Sequence, residues 1–296
     1  MKEAEQISLE DVLNFFDKFF VILSSTINDV LNNFRSNHIE YIKQYESSIQ
    51  KQIKNESIRK EINSFLSLAK DDLQDFKILI NEKSYHNAIY HLQQSAEKTI
   101  KVLHFFIIVD FKPKKDIGHD FSKIIPLLKK NVLISDFLKE SIIELESRLN
   151  MFPDGNIKLF GNKKIDLSNF WNDIDEERFL KDFKKRMINI FANNDFGIGF
   201  ALILIFLRLR SQLRDMSNNK GTDLNNILYS SELYIFNMIL SPHEELTRYP
   251  SGNSSKMNPK DYYTEESPIV SFSNKIISIE LEEIIGHIDK MILKYS

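Results

Sequence analysis

Apolar residues recur at intervals of three and four along most of this chain. Leu9, Val12, Phe16, Phe19, Phe20, Leu23, Ile27 and Val30 form one such series. Ser8 and Asp11 stand ahead of it as a capping-box-like start, which predicts an amphipathic helix reaching about Arg35. A second helical pattern runs from about Ile39 to Glu82, with a break expected at Asn55–Arg59. No glycine or proline lies between Met1 and Lys112, so long helices are permitted throughout. The third segment, Tyr85 to Ile108, opens after Ser84, a fair N-cap. Its apolar stripe is Ala88 or Ile89, Leu92, Ala96, Ile100 (or Thr99) and Leu103. Its wet stripe is Asn87, His91, Gln94, Lys98 and Lys101, with Gln93, Glu97 and His104 on the border between the two.

After this segment, Phe111–His119 reads as a loop containing Pro113 and Gly118, and Asp120 or Ser122 starts a short helix. Leu133–Leu149 reads as helix, and Met151–Asp166 as a β-hairpin or loop because of its Pro-Asp-Gly and Phe-Gly-Asn turns. Further helices are expected over Ile174–Phe191, Phe196–Met216 and Asp223 to about Leu240, with a linker at Ser217–Thr222. Pro242 starts and Pro250 ends the next segment. Ser251–Asp261 is rich in Ser, Gly and Asn and is expected to be mobile. A closing helix over Ile276–Leu293 opens from Ser271 or Ser273. The fold class these patterns predict is all-α, and no internal repeat interrupts it.

Composition narrows the picture. The chain has 296 residues, 42% hydrophobic and 27% charged, enough to fill a core without lipid. Eight glycines and seven prolines argue against a turn-rich β architecture, and 23 phenylalanines predict an aromatic core. The absence of cysteine excludes a disulfide framework and a thiol nucleophile. A net charge of -3 does not indicate a globally basic nucleic-acid binder, though a local basic patch is compatible with it. The N-terminal MKEAEQISLEDV is unlike a signal peptide, and the longest apolar run, Phe196–Leu207, falls short of the roughly 20 residues of a membrane span. A cytoplasmic protein with no membrane partner is therefore expected.

Three polar groupings carry the candidate chemistry. Gln94, Glu97, Lys98 and Lys101 lie on or beside the wet face of the third helix, with Lys101 expected as the most exposed of them. His119 and Asp120 stand at a loop-to-helix junction, where Asp120 caps the helix and His119 offers an imidazole as phosphate donor or proton acceptor. Arg248 and Tyr249 close a helix just before Pro250, a guanidinium to fork onto phosphate beside a ring to stack on a base. The plainer alternative pairs Arg248 with Glu244 on its own helix. No metal is expected: His86 and His91 are five apart and His91 and Glu97 six apart, so neither pair shares a helix face. No GxGxxG, GxxxxGK[ST] or GxSxG occurs, and no cofactor is implied.

A family resemblance gathers these pieces. In order, the chain carries A-x-D-D-L (Ala69–Leu73), E-K-S-Y-H-N-A (Glu82–Ala88), Q-S-A-E-K-x-x-K (Gln94–Lys101), H-D (His119, Asp120), R-Y-P (Arg248–Pro250) and Y-T-E-E (Tyr263–Glu266). It resembles the HEPN superfamily over about 61–130 and 223–296, flanked by an N-terminal helical extension (1–60) and split by an insertion (131–222). The resemblance implies an up-and-down helical bundle, often a homodimer, associated with nucleotides, RNA, toxin–antitoxin or defence systems. Many members cut RNA through an Arg-x4-6-His motif, which this chain lacks. Others are non-catalytic partners of a small nucleotidyltransferase, and the missing motif fits those better. The expected function is a non-catalytic nucleotide- or RNA-binding module. A structural or oligomerisation protein is the first alternative, and a metal-independent ribonuclease using His119 and Arg248 the second.

Overall fold

A chain segment free of glycine and proline up to Lys112 commits itself to helices, and its apolar stripes then decide how they pack. In a computed structural model, residues 36–119, 132–150 and 259–295 are described continuously. Residues 22, 25, 26, 29, 30, 32, 33, 123, 127, 226, 229, 230, 232–240 and 243 are described besides. Every regular element among them is helical, as the periodicity predicts. The expected hairpin at Met151–Asp166, the helices within 174–216, and Ser251–Asn258 lie outside the described residues.

Helix α1 (Ile39–Lys54) ends at the expected break. Asn55 is extended there, and its side chain accepts from the backbone N–H of Ser57 and Ile58, so one residue closes α1 and caps α2 (Glu56–Asn81). Lys83 then adopts a left-handed conformation, φ 60°, and Ser84 N–H reaches back to Leu79 O at 2.8 Å. This closed C-terminal turn reverses the chain into α3 (Tyr85–His104). Ser84 occupies the N-cap position but its hydroxyl caps nothing; it accepts instead from Asn87 Nδ2 at 3.1 Å.

The α2–α3 hairpin is the centre of the bundle. Small residues at its seam (Ala69, Ala88, Ser95 and Ala96, all fully buried) let the two backbones approach. Ser95 Oγ donates across to Ala69 O at 2.7 Å. Phe76, Ile89, Leu92 and Ile100 fill the space on either side of that contact without any exposure. Thirteen of the twenty residues of α3 are buried, more than one apolar stripe can account for. The surplus arises because α3 is covered from several sides at once.

Helix α8 (Ser278–Tyr295) supplies one of those sides. Lys70 pairs with Asp289 and Lys77 with Glu282, each at 2.8 Å, so the numbers rise along α2 as they fall along α8 and the two run antiparallel. Both pairs are exposed and add little stability; the packing of Leu281, Ile284 and Ile288 carries the contact. After the short helix α6 (Pro259–Tyr262), helix α7 (Pro268–Phe272) continues into α8 through a π-helical turn, Ser273–Ile277. Residues 232–240 are helical too, with Leu233, Phe236, Ile239 and Leu240 in the same core. Helix α5 (Val132–Asn150) meets the N-terminal residues through Arg148, whose guanidinium bonds Ser25 Oγ, Asp29 and Glu144 at 2.7–2.8 Å.

Gln52 locks α1 to the turn that follows α3. Its amide donates to Phe105 O and Ile108 O at 2.9 and 3.0 Å, and its carbonyl accepts from Asp110 N–H. Asp110 has a φ of 59°, a left-handed position that this bond helps to hold. Gln52→Ala leaves three buried or half-buried backbone groups without that partner. We expect a loss of about 2–4 kcal/mol, read from urea midpoints; a loss under about 0.5 kcal/mol would refute the assigned role.

Candidate functional site

The site begins with Glu97, which periodicity places on the border of α3 and which packing encloses almost completely. One carboxylate oxygen, Oε1, takes two partners. Lys101 Nζ donates to it at 2.6 Å from one turn along the same helix. His119 Nδ1 approaches it at 2.8 Å from the far end of the loop after α3. The other oxygen receives a longer bond, 3.4 Å, from Gln93 Nε2. A buried carboxylate is costly unless paired, and here an ammonium and an imidazole share that task.

The loop that delivers His119 is built locally. Pro113 opens the short helix α4 (Pro113–Asp116), and the Asp116 carboxylate accepts from Lys112 N–H at 2.7 Å. Gly118 then takes φ 62°, and its N–H bonds Pro113 O at 2.9 Å. That left-handed position suits glycine, and it turns the chain so that the next residue, His119, faces Glu97. The segment read as a loop therefore contains one helical turn. Pro113 and Ile117 anchor it in the core, whereas Lys112, Lys114 and Lys115 are exposed. The His119 side chain is 82% exposed although Glu97 holds its Nδ1.

A second set of polar groups lies along the α2–α3 seam. Lys98 Nζ reaches Asp72 Oδ2 at 2.5 Å and Gln94 Oε1 at 3.3 Å. His91 Nδ1 sits 3.0 Å from Asp72 Oδ1 and 3.6 Å from Asp75 Oδ2. Gln94 Nε2 donates to Gln93 Oε1 at 2.6 Å. The side chains thus form one continuous polar chain: His91, Asp72, Lys98, Gln94, Gln93, Glu97, and finally Lys101 and His119.

Glu97 and His119 do meet, although more than twenty residues separate them. Lys101, expected to be exposed, is instead buried, its charge turned onto Glu97. Lys98 is likewise paired inward, with Asp72. The reason is the same for both: neighbouring elements cover a flank that a single-helix pattern reads as solvent. Asp120, Arg248 and Tyr249 lie outside the described residues. Sequence reading did not group Asp72, Asp75 and His91, because it tested histidine spacing only within one helix. The i, i+3 pair of aspartates was visible, but its register against α3 was not.

Two other histidines are inaccessible. His104 is fully buried with Nε2 2.9 Å from Ser230 Oγ, and burial pushes its pKa down to about 3. His243 is buried with Nδ1 2.6 Å from Tyr263 Oη, and burial lowers it to about 4. The Tyr263 hydroxyl is in turn pushed upward, by burial first and by Tyr262 second. Both imidazoles are neutral packing groups, closed to a substrate.

The family model for the HEPN domain matches residues 62–151, a stretch that takes in all but the first six residues of α2, the whole of α3 and α4, the Glu97–His119 contact and α5. The match runs beyond position 130 and does not reach the segments after 151. No curated protein and no solved structure matches the chain.

Proposed function

From a chain that carries a HEPN domain over residues 62–151, we propose that this protein is a non-catalytic binding module for phosphate-bearing ligands of the nucleotide and RNA class. One observation carries the reading. An exposed imidazole, His119, has its Nδ1 2.8 Å from a buried carboxylate, and it stands at the end of a loop presenting Lys112, Lys114 and Lys115 to solvent. Three ammonium groups and an exposed imidazole within eight residues form a local basic surface on a chain whose net charge is -3. Such a surface meets phosphate as point charges. Glu97 and Lys101 act from beneath as positioning residues.

The absent Arg-x4-6-His motif and the closure of His104 and His243 in the core support binding without cleavage. The ribonuclease alternative draws on the same Glu97–His119 contact, since a carboxylate that orients an imidazole also suits a general base. The structural alternative draws on Lys98 and Lys101, whose charges are both satisfied inside the bundle. A homodimer, a nucleotidyltransferase partner and a toxin–antitoxin or defence setting belong to this proposal through the resemblance alone.

The test is fluorescence anisotropy with a labelled single-stranded RNA. Wild type should bind at low salt and release as salt rises. The triple variant Lys112→Gln, Lys114→Gln, Lys115→Gln should bind at least tenfold more weakly, with its log–log salt slope shallower by about 2. The RNA should emerge full length. Shortened products that disappear in His119→Ala would favour the ribonuclease, and an unbound RNA at low salt would favour the structural reading.

A further inference from the structure

We infer that Asp72, Asp75 and His91 form a binding site for one divalent transition-metal ion on the α2–α3 seam. The inference stands apart from the proposed ligand surface and rests on geometry alone. The three side chains offer one nitrogen and two carboxylate oxygens, all within 4.8 Å of one another. An ion bound at about 2.1 Å holds neighbouring donor atoms about 3.0 Å apart at a right angle and about 3.4 Å apart at a tetrahedral angle. His91 Nδ1 lies 3.0 Å from Asp72 Oδ1 and 3.6 Å from Asp75 Oδ2, close to those two edges. Two of the three donor separations already stand near those that an ion requires, and the third, between the carboxylates, is within 4.8 Å.

The frame supports the spacing. Asp72 and Asp75 are one turn apart on α2, so both carboxylates leave the same face, and His91 comes from the antiparallel helix opposite. Nearby, Ser95 bonds Ala69 across the seam and fixes the register of the two helices. Lys98 grips the remaining oxygen of Asp72, which turns Oδ1 toward the imidazole. An outer partner of this kind orients a ligating carboxylate, while its charge moderates the affinity. Gln94 in turn bonds Lys98, so the orienting group is itself held.

The chemistry selects the ion. One imidazole with two carboxylates suits zinc or manganese better than the all-oxygen shell of calcium, and three protein donors leave positions for water. In the tautomer with its proton on Nδ1, His91 simply hydrogen-bonds Asp72. With the proton on Nε2, the Nδ1 lone pair faces both carboxylates. Asp75 is about half exposed, which gives an ion from solvent a way in.

The experiment uses the full-length chain without an affinity tag, and Zn2+ and Mn2+ as the probes. Equilibrium dialysis should show one saturable ion per chain at micromolar concentration. Asp75→Asn changes a half-exposed group and should leave the far-UV circular dichroism unaltered while weakening binding at least tenfold. His91→Gln should do the same. His86→Gln, on the same helix but outside the cluster, should bind as wild type does. Absence of a saturable site for either ion overturns the inference, as does equal affinity in the wild-type and Asp75→Asn proteins. RNA anisotropy of Asp75→Asn, measured in parallel, should be unchanged; that separates the failure of one proposal from the failure of the other.

Discussion

Lys101→Ala should destabilise this protein by about 3–5 kcal/mol, more than any exposed charge substitution. The substitution leaves the Glu97 carboxylate, 4% exposed, without the ammonium 2.6 Å away. His119 remains, but it approaches from the surface and cannot fill the volume that the lysine stem occupied. A loss of that size lowers the melting temperature by on the order of 10 °C. Removing both charges behaves differently. In Glu97→Leu/Lys101→Leu no buried ion is stranded, and apolar groups of similar volume replace the pair. The double variant should therefore be more stable than Lys101→Ala, and the cycle through Glu97→Leu and Lys101→Leu should show a coupling energy of at least about 1 kcal/mol. Additive single effects, or a Lys101→Ala protein that melts where wild type does, would show that Glu97 has access to water.

Acid should unfold the bundle well above the pH at which carboxylates protonate, and the buried histidines are the cause. His104 titrates near 3 and His243 near 4 in the folded chain, each lowered by burial. Unfolded, both take up a proton near 6.5. Between those values the unfolded chain holds more protons, so stability is complete above about pH 6.5 and falls as pH drops toward 4. Each group contributes at most about 1.4 kcal/mol per pH unit, so the two together remove about 5 kcal/mol by pH 4.5. That is comparable with the whole stability of a typical domain. Urea midpoints at pH 7, 5.5 and 4.5 measure it, and His104→Asn should lose roughly a third of the pH dependence, since burial lowers His287 to about 4 as well. A midpoint that stays constant from pH 7 to 4.5 would contradict this account.

The helices were legible because their signals are local. The break expected within Asn55–Arg59 falls at Asn55, and the helix expected over Leu133–Leu149 is Val132–Asn150. The stripe of Ala88, Ile89, Leu92, Ala96, Ile100 and Leu103 is wholly buried. The polar residues beside it were harder to place. Periodicity in α3 describes a helix resting on one neighbour, whereas this helix is covered by α2, α8 and its own trailing loop. Lys101, Gln93 and His104 therefore lie inside, though nothing in their spacing says so. The approach of His119 to Glu97 joins positions 22 apart, and periodicity within α3 carries no sign of it. The left-handed glycine that produces it is one residue in a turn. The Asp72–His91 contact depended on the relative sliding of two helices, and intrahelical spacing carries no information about that.

The π-helical turn at Ser273–Ile277 gives the last helix a property its length conceals. An α-helix advances about 100° per residue, and a π turn accommodates one residue beyond the regular count. The segment from Pro268 to Tyr295 is consequently two amphipathic surfaces out of phase. Ile269, Val270 and Phe272 face the interior on the first phase, and Leu281, Ile284 and Ile288 on the second. Losing a single position between 273 and 277 would restore uninterrupted winding and swing one surface by more than a quarter-turn, exposing the very side chains that close the bundle. At this place the protein tolerates exchange of residues far more readily than a change in their number.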